Sequence, residues 1–125
     1  MRILLIDDDE AVLEVIALML TAQGHAVVTA VGGRDGLARL AAGGPVDLVL
    51  TDLAMPGLSG WDVVRAVRAR WPAVPVGLVT GTPDHLPAEA EAVDVLIAKP
   101  VTLESLHLAM SKVEALRSRR RVDRG

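Results

Sequence analysis

Short apolar runs that each stop at a polar residue restrict this 125-residue chain more than any other feature. Ile3-Leu4-Leu5-Ile6 runs into Asp7-Asp8-Asp9, and Leu48-Val49-Leu50 runs into Thr51-Asp52. Val76-Gly77-Leu78-Val79 ends at Thr80, and Val95-Leu96-Ile97-Ala98 ends at Lys99-Pro100. Apolar runs of this length, separated by helix-like stretches, predict buried parallel strands joined by helical crossovers. Parallel strands place all their carboxyl ends on one edge of the sheet, where open α/β folds bind ligands. That edge would collect carboxylates, a hydroxyl and an ammonium. The remaining run, Ala26-Val27-Val28-Thr29-Ala30, leads into Val31-Gly32-Gly33 and brings no such group. A chemically silent strand belongs at the rim of the sheet, away from the site.

The intervening segments carry helix signals. Asp9 can cap a helix through Leu20 that Gly24 stops, and a second helix is expected from about Arg34 to Ala42. Ser59 with Asp62 forms a capping-box pattern for a helix to Arg70. Thr102 can cap a last helix from Leu103 to about Arg117. Between Thr80 and Lys99 stand Pro83 and Pro87, and only Ala88 to Ala92 looks helix-forming. The order predicts a doubly wound α/β fold of five parallel strands and five helices, the fourth short or poorly ordered. One domain over residues 1–117 is expected, with 118–125 as a basic tail or the start of a linker.

Composition narrows the function classes. The chain has no cysteine, which excludes disulfides and thiolate metal sites. A net charge of −3 and the lack of a DNA-reading motif argue against direct nucleic-acid binding. No run is long enough to span a membrane and no signal peptide precedes the first strand, so a cytoplasmic location is expected. His25, His85 and His107 join no acid at metal-ligand spacing.

The chemistry therefore rests on the carboxyl edge. Asp7, Asp8 and Asp52 together would repel unless a hard divalent cation compensated them, and Mg²⁺ takes such oxygen ligands alongside a phosphate. Lys99 can supply a point charge to a phosphoryl group and Thr80 a hydrogen bond. Asp52, alone at its strand end before the Met55-Pro56-Gly57 turn, is the candidate nucleophile for an aspartyl phosphate. Singly, each residue has a plainer reading: helix-dipole acids, a turn aspartate, a strand-ending threonine, a solvated lysine. Their coincidence at four strand ends carries the argument.

With these motifs (Leu5-Ile6-Asp7-Asp8-Asp9, Asp47 to Asp52, Met55 to Gly60, Val79-Thr80-Gly81 and Lys99-Pro100) the chain resembles the receiver domain of bacterial two-component response regulators from Arg2 to about Arg117. The resemblance implies a flavodoxin-like strand order 2-1-3-4-5. It implies that Asp52 accepts a phosphoryl group from a histidine kinase or phosphotransfer protein, with Mg²⁺ or Mn²⁺ held by Asp7, Asp8, Asp52 and the backbone carbonyl of Ala54. Thr80 and Lys99 would touch the phosphoryl oxygens, and the Lys99–Pro100 peptide would be cis. Thr80 would serve as a switch together with the position of Leu96, where family members often carry an aromatic. Ala54 and Thr82 would tune phosphoryl lifetime. The domain would catalyse only its own phosphorylation and dephosphorylation, and a phosphorylation-dependent dimer is allowed.

Three alternatives share parts of this pattern. A nucleotide or flavin binder of the same fold needs a Gly- or Ser/Thr-rich phosphate loop, and Asp7-Asp8-Asp9-Glu10 is its electrostatic opposite. A Mg²⁺-dependent hydrolase needs a second acid near Asp52, where Ala54 stands. A degenerate receiver, acting as a phosphate-independent interaction module, is opposed by the intact Asp, Thr and Lys set. The segment between Thr80 and Lys99 is shorter than the family's usual one, and Leu96 replaces the aromatic. Output is therefore expected to use the first and last helices more than the fourth. Hydrogen exchange with and without a phosphoryl mimic should change on those helices; changes confined to residues 81–96 would contradict this.

Overall fold

The computed structural model describes residues 1–83 and 93–124, with side chains to residue 119. Its strands are β1 (Arg2–Asp7), β2 (Ala26–Val31), β3 (Leu48–Asp52), β4 (Val76–Thr80) and β5 (Val95–Ala98). Four helices lie among the described residues: α1 (Glu10–Ala22), α2 (Gly33–Ala41), α3 (Gly60–Arg70) and α4 (Leu103–Arg124). The five strands are all parallel in the order β2-β1-β3-β4-β5. The silent strand β2 stands at one rim. The helix expected over Ala88 to Ala92 lies outside the described residues.

Alternation along the strands divides the core between two faces of the sheet. Ile3 and Leu5 of β1, with Leu48 and Leu50 of β3, face α1 and α4, where Leu13, Ile16, Leu20, Leu106 and Val113 close the layer. Leu4 and Ile6, with Val49 and Leu78, face α2 and α3 and meet Leu40, Val63 and Val67. Both faces of β3 and β4 are buried throughout. These strands read as continuous apolar runs because neither face meets water.

Local signals fix where each helix starts. The Asp9 side chain accepts hydrogen bonds from the backbone N–H groups of Ala11 (3.0 Å) and Val12 (3.3 Å), satisfying donors that α1 leaves free. After α1, Gly24 adopts φ +92° and turns the chain into β2. Ser59 and Asp62 form the full capping box at α3. At α4, Thr102 and Ser105 exchange backbone-to-hydroxyl bonds, both 3.0 Å. The last helix corrects one expectation: it does not stop near Arg117 but continues through Arg124. No glycine or proline stands between Leu103 and Gly125 to break its hydrogen-bond ladder, and charge alone does not end a helix. Arg117 also reaches back to Asp47 (3.0 Å), whose other oxygen accepts from the Arg2 backbone N–H (2.7 Å).

The α3 start packs directly on the chain leaving β3. A Cβ on Gly60 would lie 2.4 Å from the Asp52 carbonyl oxygen and 2.8 Å from the Leu53 Cα. Backbone atoms cannot rotate aside as a side chain can. Gly60→Ala should therefore cost about 1–3 kcal/mol, in the range of overpacked cores, measured by urea denaturation. A cost near zero would show that α3 can slide away from the Asp52 loop.

Candidate functional site

Parallel register brings four chain segments to one edge. Asp7, Asp52 and Thr80 are the last residues of β1, β3 and β4, and Lys99 follows β5 directly. Asp52 pairs in register with Val79, and Thr80 with Ala98. The backbone N–H of Lys99 donates to the Thr80 carbonyl at 2.8 Å, tying the β5 end to the β4 end. The Lys99–Pro100 peptide bond is cis.

Carboxylate oxygens of Asp7, Asp8 and Asp52 all lie within 4.8 Å of one another. Asp7 and Asp52 are buried, at 3% and 7% exposure, whereas Asp8 is exposed. The Lys99 ammonium lies 3.3 Å from Asp7 Oδ2 and 3.0 Å from Asp52 Oδ1. One cation thus bridges two of three acids, and the cluster keeps an excess of negative charge. An all-oxygen, anionic donor set open on the Asp8 side fits a hard divalent cation such as Mg²⁺.

The neighbouring groups shape the titration of this cluster. Burial pushes the Asp7 carboxyl above its ordinary value, and the nearby Asp52 charge adds to the rise. The Asp9 backbone N–H, 3.0 Å from Asp7 Oδ1, and Lys99 oppose it without cancelling it. For Lys99, burial acts to lower the pKa, but hydrogen bonding and charge from Asp52, then Asp7, outweigh it and leave it raised. The ammonium is therefore held protonated between its two partners.

The other expected residues are placed as follows. The Thr80 side chain is buried, and its Oγ1 accepts the Thr82 backbone N–H at 3.1 Å and lies 3.3 Å from the Thr82 hydroxyl. Thr82 and Ala54 are both exposed, on the loops that leave β4 and β3. Leu96 is 43% exposed on β5, and register puts it opposite Leu78, away from the carboxyl edge. It is not brought to the acidic cluster. His25 sits at the other end of the sheet with its Nδ1 3.1 Å from the N-terminal ammonium. Burial and that ammonium lower its pKa, while Glu114 opposes the shift. Two supporting groups escaped sequence reasoning: the Asp9 N–H that orients Asp7, and Gly60 beneath the Asp52 loop. The Ser59-Gly60 pair at a helix start was the available signal for the second.

The fold and this edge define a receiver: a parallel α/β domain with an acidic pocket faced by a lysine. The response regulator receiver domain family matches residues 3–111, and the chain belongs to that family. It is 35% identical to the transcriptional regulatory protein GlrR of Escherichia coli over 112 residues, covering 87% of this chain and 25% of that protein. This chain spans a quarter to about half of the length of the curated relatives most similar to it. The crystal structure of a response regulator receiver domain protein from Clostridium thermocellum superposes with a TM-score of 0.85 at 31% identity, covering 94% of this chain and 96% of that one. The response regulator TrrA of Thermotoga maritima, solved in complex with Mg²⁺-BeF, gives a TM-score of 0.82 at 28% identity, covering 90% and 97%. TrrA has also been solved in complex with the histidine kinase ThkA. No helix among the described residues is long and apolar enough to cross a membrane.

The raised Asp7 pKa has a consequence for stability. An acid whose pKa is raised by folding favours the fold in its protonated form. That contribution is complete below the unfolded value, 3.8, and is lost as pH rises through the folded value. At neutral pH the ionised Asp7 therefore opposes folding. Asp7→Asn keeps an acceptor for the Asp9 N–H and leaves Lys99 its Asp52 partner. It should raise Tm by a few degrees at pH 7, with the gain shrinking toward pH 4, as scanning calorimetry would report. A fall in Tm at pH 7 would mean that the Lys99–Asp7 attraction outweighs the burial cost.

Proposed function

We propose that Asp52 is the phosphoacceptor of a two-component phosphorelay, taking its phosphoryl group from the phosphohistidine of a histidine kinase or phosphotransfer protein. The observation that carries this reading is the Lys99 ammonium set between Asp7 and Asp52 beside a third carboxylate. An Asp52 oxygen attacks phosphorus, the P–N bond to the donor imidazole breaks, and the imidazole nitrogen keeps the electron pair and takes up a proton. Such a transfer requires alignment and charge neutralisation more than covalent assistance from the protein.

Asp7, Asp8 and Asp52, with the backbone carbonyl of Ala54, would hold Mg²⁺ or Mn²⁺. An ion held there would neutralise phosphoryl oxygens that three carboxylates would otherwise repel. Lys99 exchanges a carboxylate oxygen for a phosphoryl oxygen and balances charge from the β5 side. Thr80 is engaged with the Thr82 N–H. Turning its hydroxyl toward a phosphoryl oxygen gives up that bond and frees the loop after β4. A phosphate adds roughly −1.5 to −2 charges, so a local electrostatic change biases the position of this loop. Leu96, on the exposed side of β5, is the position through which that loop repacks. Ala54 and Thr82 bracket the approach of hydrolytic water, and larger side chains there would lengthen the phosphoryl lifetime.

The downstream element is a further domain or another protein, contacted without direct nucleic-acid or membrane binding by this domain. Transcriptional control is carried in the relatives' names, and this chain matches only part of them.

Incubation with acetyl phosphate and Mg²⁺, an acid quench and intact-mass measurement test the reading. One phosphoryl group, about 80 Da, should appear in the wild type and be absent from Asp52→Ala and from the Mg²⁺-free sample. Lys99→Ala should slow its appearance at least about tenfold. No adduct under any condition would favour a degenerate receiver, acting as a phosphate-independent interaction module.

A further inference from the structure

Asp7 is held at both of its carboxylate oxygens, by donors of different kinds. The Lys99 ammonium lies 3.3 Å from Oδ2, and the Asp9 backbone N–H donates to Oδ1 at 3.0 Å. Lys99 shares its charge with Asp52 at 3.0 Å, and in the phosphoryl transfer proposed above it exchanges a carboxylate oxygen for a phosphoryl oxygen. A backbone N–H neither titrates nor swings away on a flexible stem as a lysine does. When Lys99 turns to a phosphoryl group, the Asp9 N–H is the hold that stays.

What aims this N–H is the start of α1. Asp9 is the N-cap, at φ −100° and ψ 108°. Its Oδ1 accepts from the N–H groups of Ala11 (3.0 Å) and Val12 (3.3 Å), and its carbonyl accepts from that of Leu13 (3.0 Å). Leu13 is itself buried against the sheet. An N-cap reaches those donors from an extended backbone, so the torsions that make the cap also point the Asp9 N–H back at Asp7. The Asp9 carboxylate is committed to the helix: it is exposed, and the oxygens that cluster within 4.8 Å of one another come from Asp7, Asp8 and Asp52.

We propose that Asp9 is a positioning residue of the acidic site: by capping α1 it fixes its own N–H on Asp7 and so keeps that carboxylate turned toward a divalent cation when Lys99 leaves it. The inference rests on the cation and phosphoacceptor reading given above. Partners that orient a metal-ligating carboxylate are worth roughly tenfold or more in metal affinity. Two plainer roles are separable from this one. If Asp9 only stabilised α1, any comparable loss of helix stability would act alike. If it only added negative charge near the cation, neutralising it would be enough to weaken binding.

Mg²⁺ titration of the full chain, followed by amide chemical shifts in NMR spectra, reads affinity without any phosphoryl transfer. Asp9→Ala should weaken Mg²⁺ binding by about tenfold, and the N–H at position 9 should lose its protection from hydrogen exchange. Asp9→Asn caps as well as aspartate without the charge, and should stay within about twofold of the wild type and keep that protection. Leu18→Gly, an exposed change in the middle of α1, weakens the helix about as much as a lost cap and should leave Mg²⁺ affinity unchanged. In Lys99→Ala, where the other hold on Asp7 is already gone, Asp9→Ala should weaken binding by a larger factor than in the wild type. Equal affinities for wild type and Asp9→Ala would overturn the proposal. So would a loss in Asp9→Asn or Leu18→Gly equal to that in Asp9→Ala, or a factor no larger in Lys99→Ala. A wild type that binds Mg²⁺ with no response to Asp9→Ala leaves the phosphoacceptor reading standing, whereas a wild type that binds none removes the cation reading and this proposal with it.

Discussion

The Lys99 ammonium between Asp7 and Asp52 is the interaction on which the rest of this structure depends. Two like charges about 4 Å apart near a protein surface repel by about 4 kcal/mol, a large share of the stability of a small domain. Asp7 and Asp52 are both buried at that edge, and Asp8 adds a third charge within reach. Lys99 offsets part of this repulsion by standing 3.0 and 3.3 Å from the two buried acids. The remainder is borne by the sheet, whose central strands are apolar on both faces. The even aliphatic core thus holds an electrostatically unfavourable edge in place.

Three consecutive aspartates serve three different purposes because of where strand and helix meet. Asp7 is the last residue of β1 and points into the buried edge. Asp9 caps α1 through its carboxylate and uses its own N–H to hold Asp7 (3.0 Å). Asp8 between them stays exposed and close to the other two. The cap therefore does more than start a helix. It fixes the turn that presents both neighbouring carboxylates, so the stability of α1 and the geometry of the acidic cluster rest on the same few atoms. Gly60 plays the matching part on β3: the α3 start lies so close to the Asp52 carbonyl that a Cβ has no room.

Most of this was legible before any coordinates, for reasons that differ by feature. Strand positions follow from apolar runs, helix starts from Asp9, Ser59 and Thr102, and the silent rim from the lack of chemistry after β2. The convergence of Asp7, Asp8, Asp52, Thr80 and Lys99 on one edge follows from parallel crossovers alone. What could not be read is contact. Lys99 reaches an acid 92 residues away in sequence, and no local pattern encodes that it bridges two acids rather than one. The arginine-rich stretch past Arg117 reads as a basic tail or the start of a linker, yet nothing in it breaks a helix and α4 continues through it. Leu96 was assigned through resemblance rather than through its own environment, and it lies outward on β5, apart from the acidic edge.

The elements around the site differ in how firmly they are held, and this decides where a charge change at Asp52 can be felt. The α4 helix is fastened near both ends of its described length, by Gln23 Nε2 donating to the Leu103 carbonyl (2.8 Å) and by Arg117 on Asp47 (3.0 Å). The α1 helix is fixed by its cap and by three fully packed side chains. The turn after β4 is different. There the Thr82 backbone N–H donates to the Thr80 hydroxyl, and that hydroxyl belongs to a residue already at the acidic edge. A single neutral hydrogen bond contributes only about 1 kcal/mol net, far less than a new charge a few ångströms away can supply. Among the described residues of that turn, this is a bond that can yield without disturbing either layer of the core.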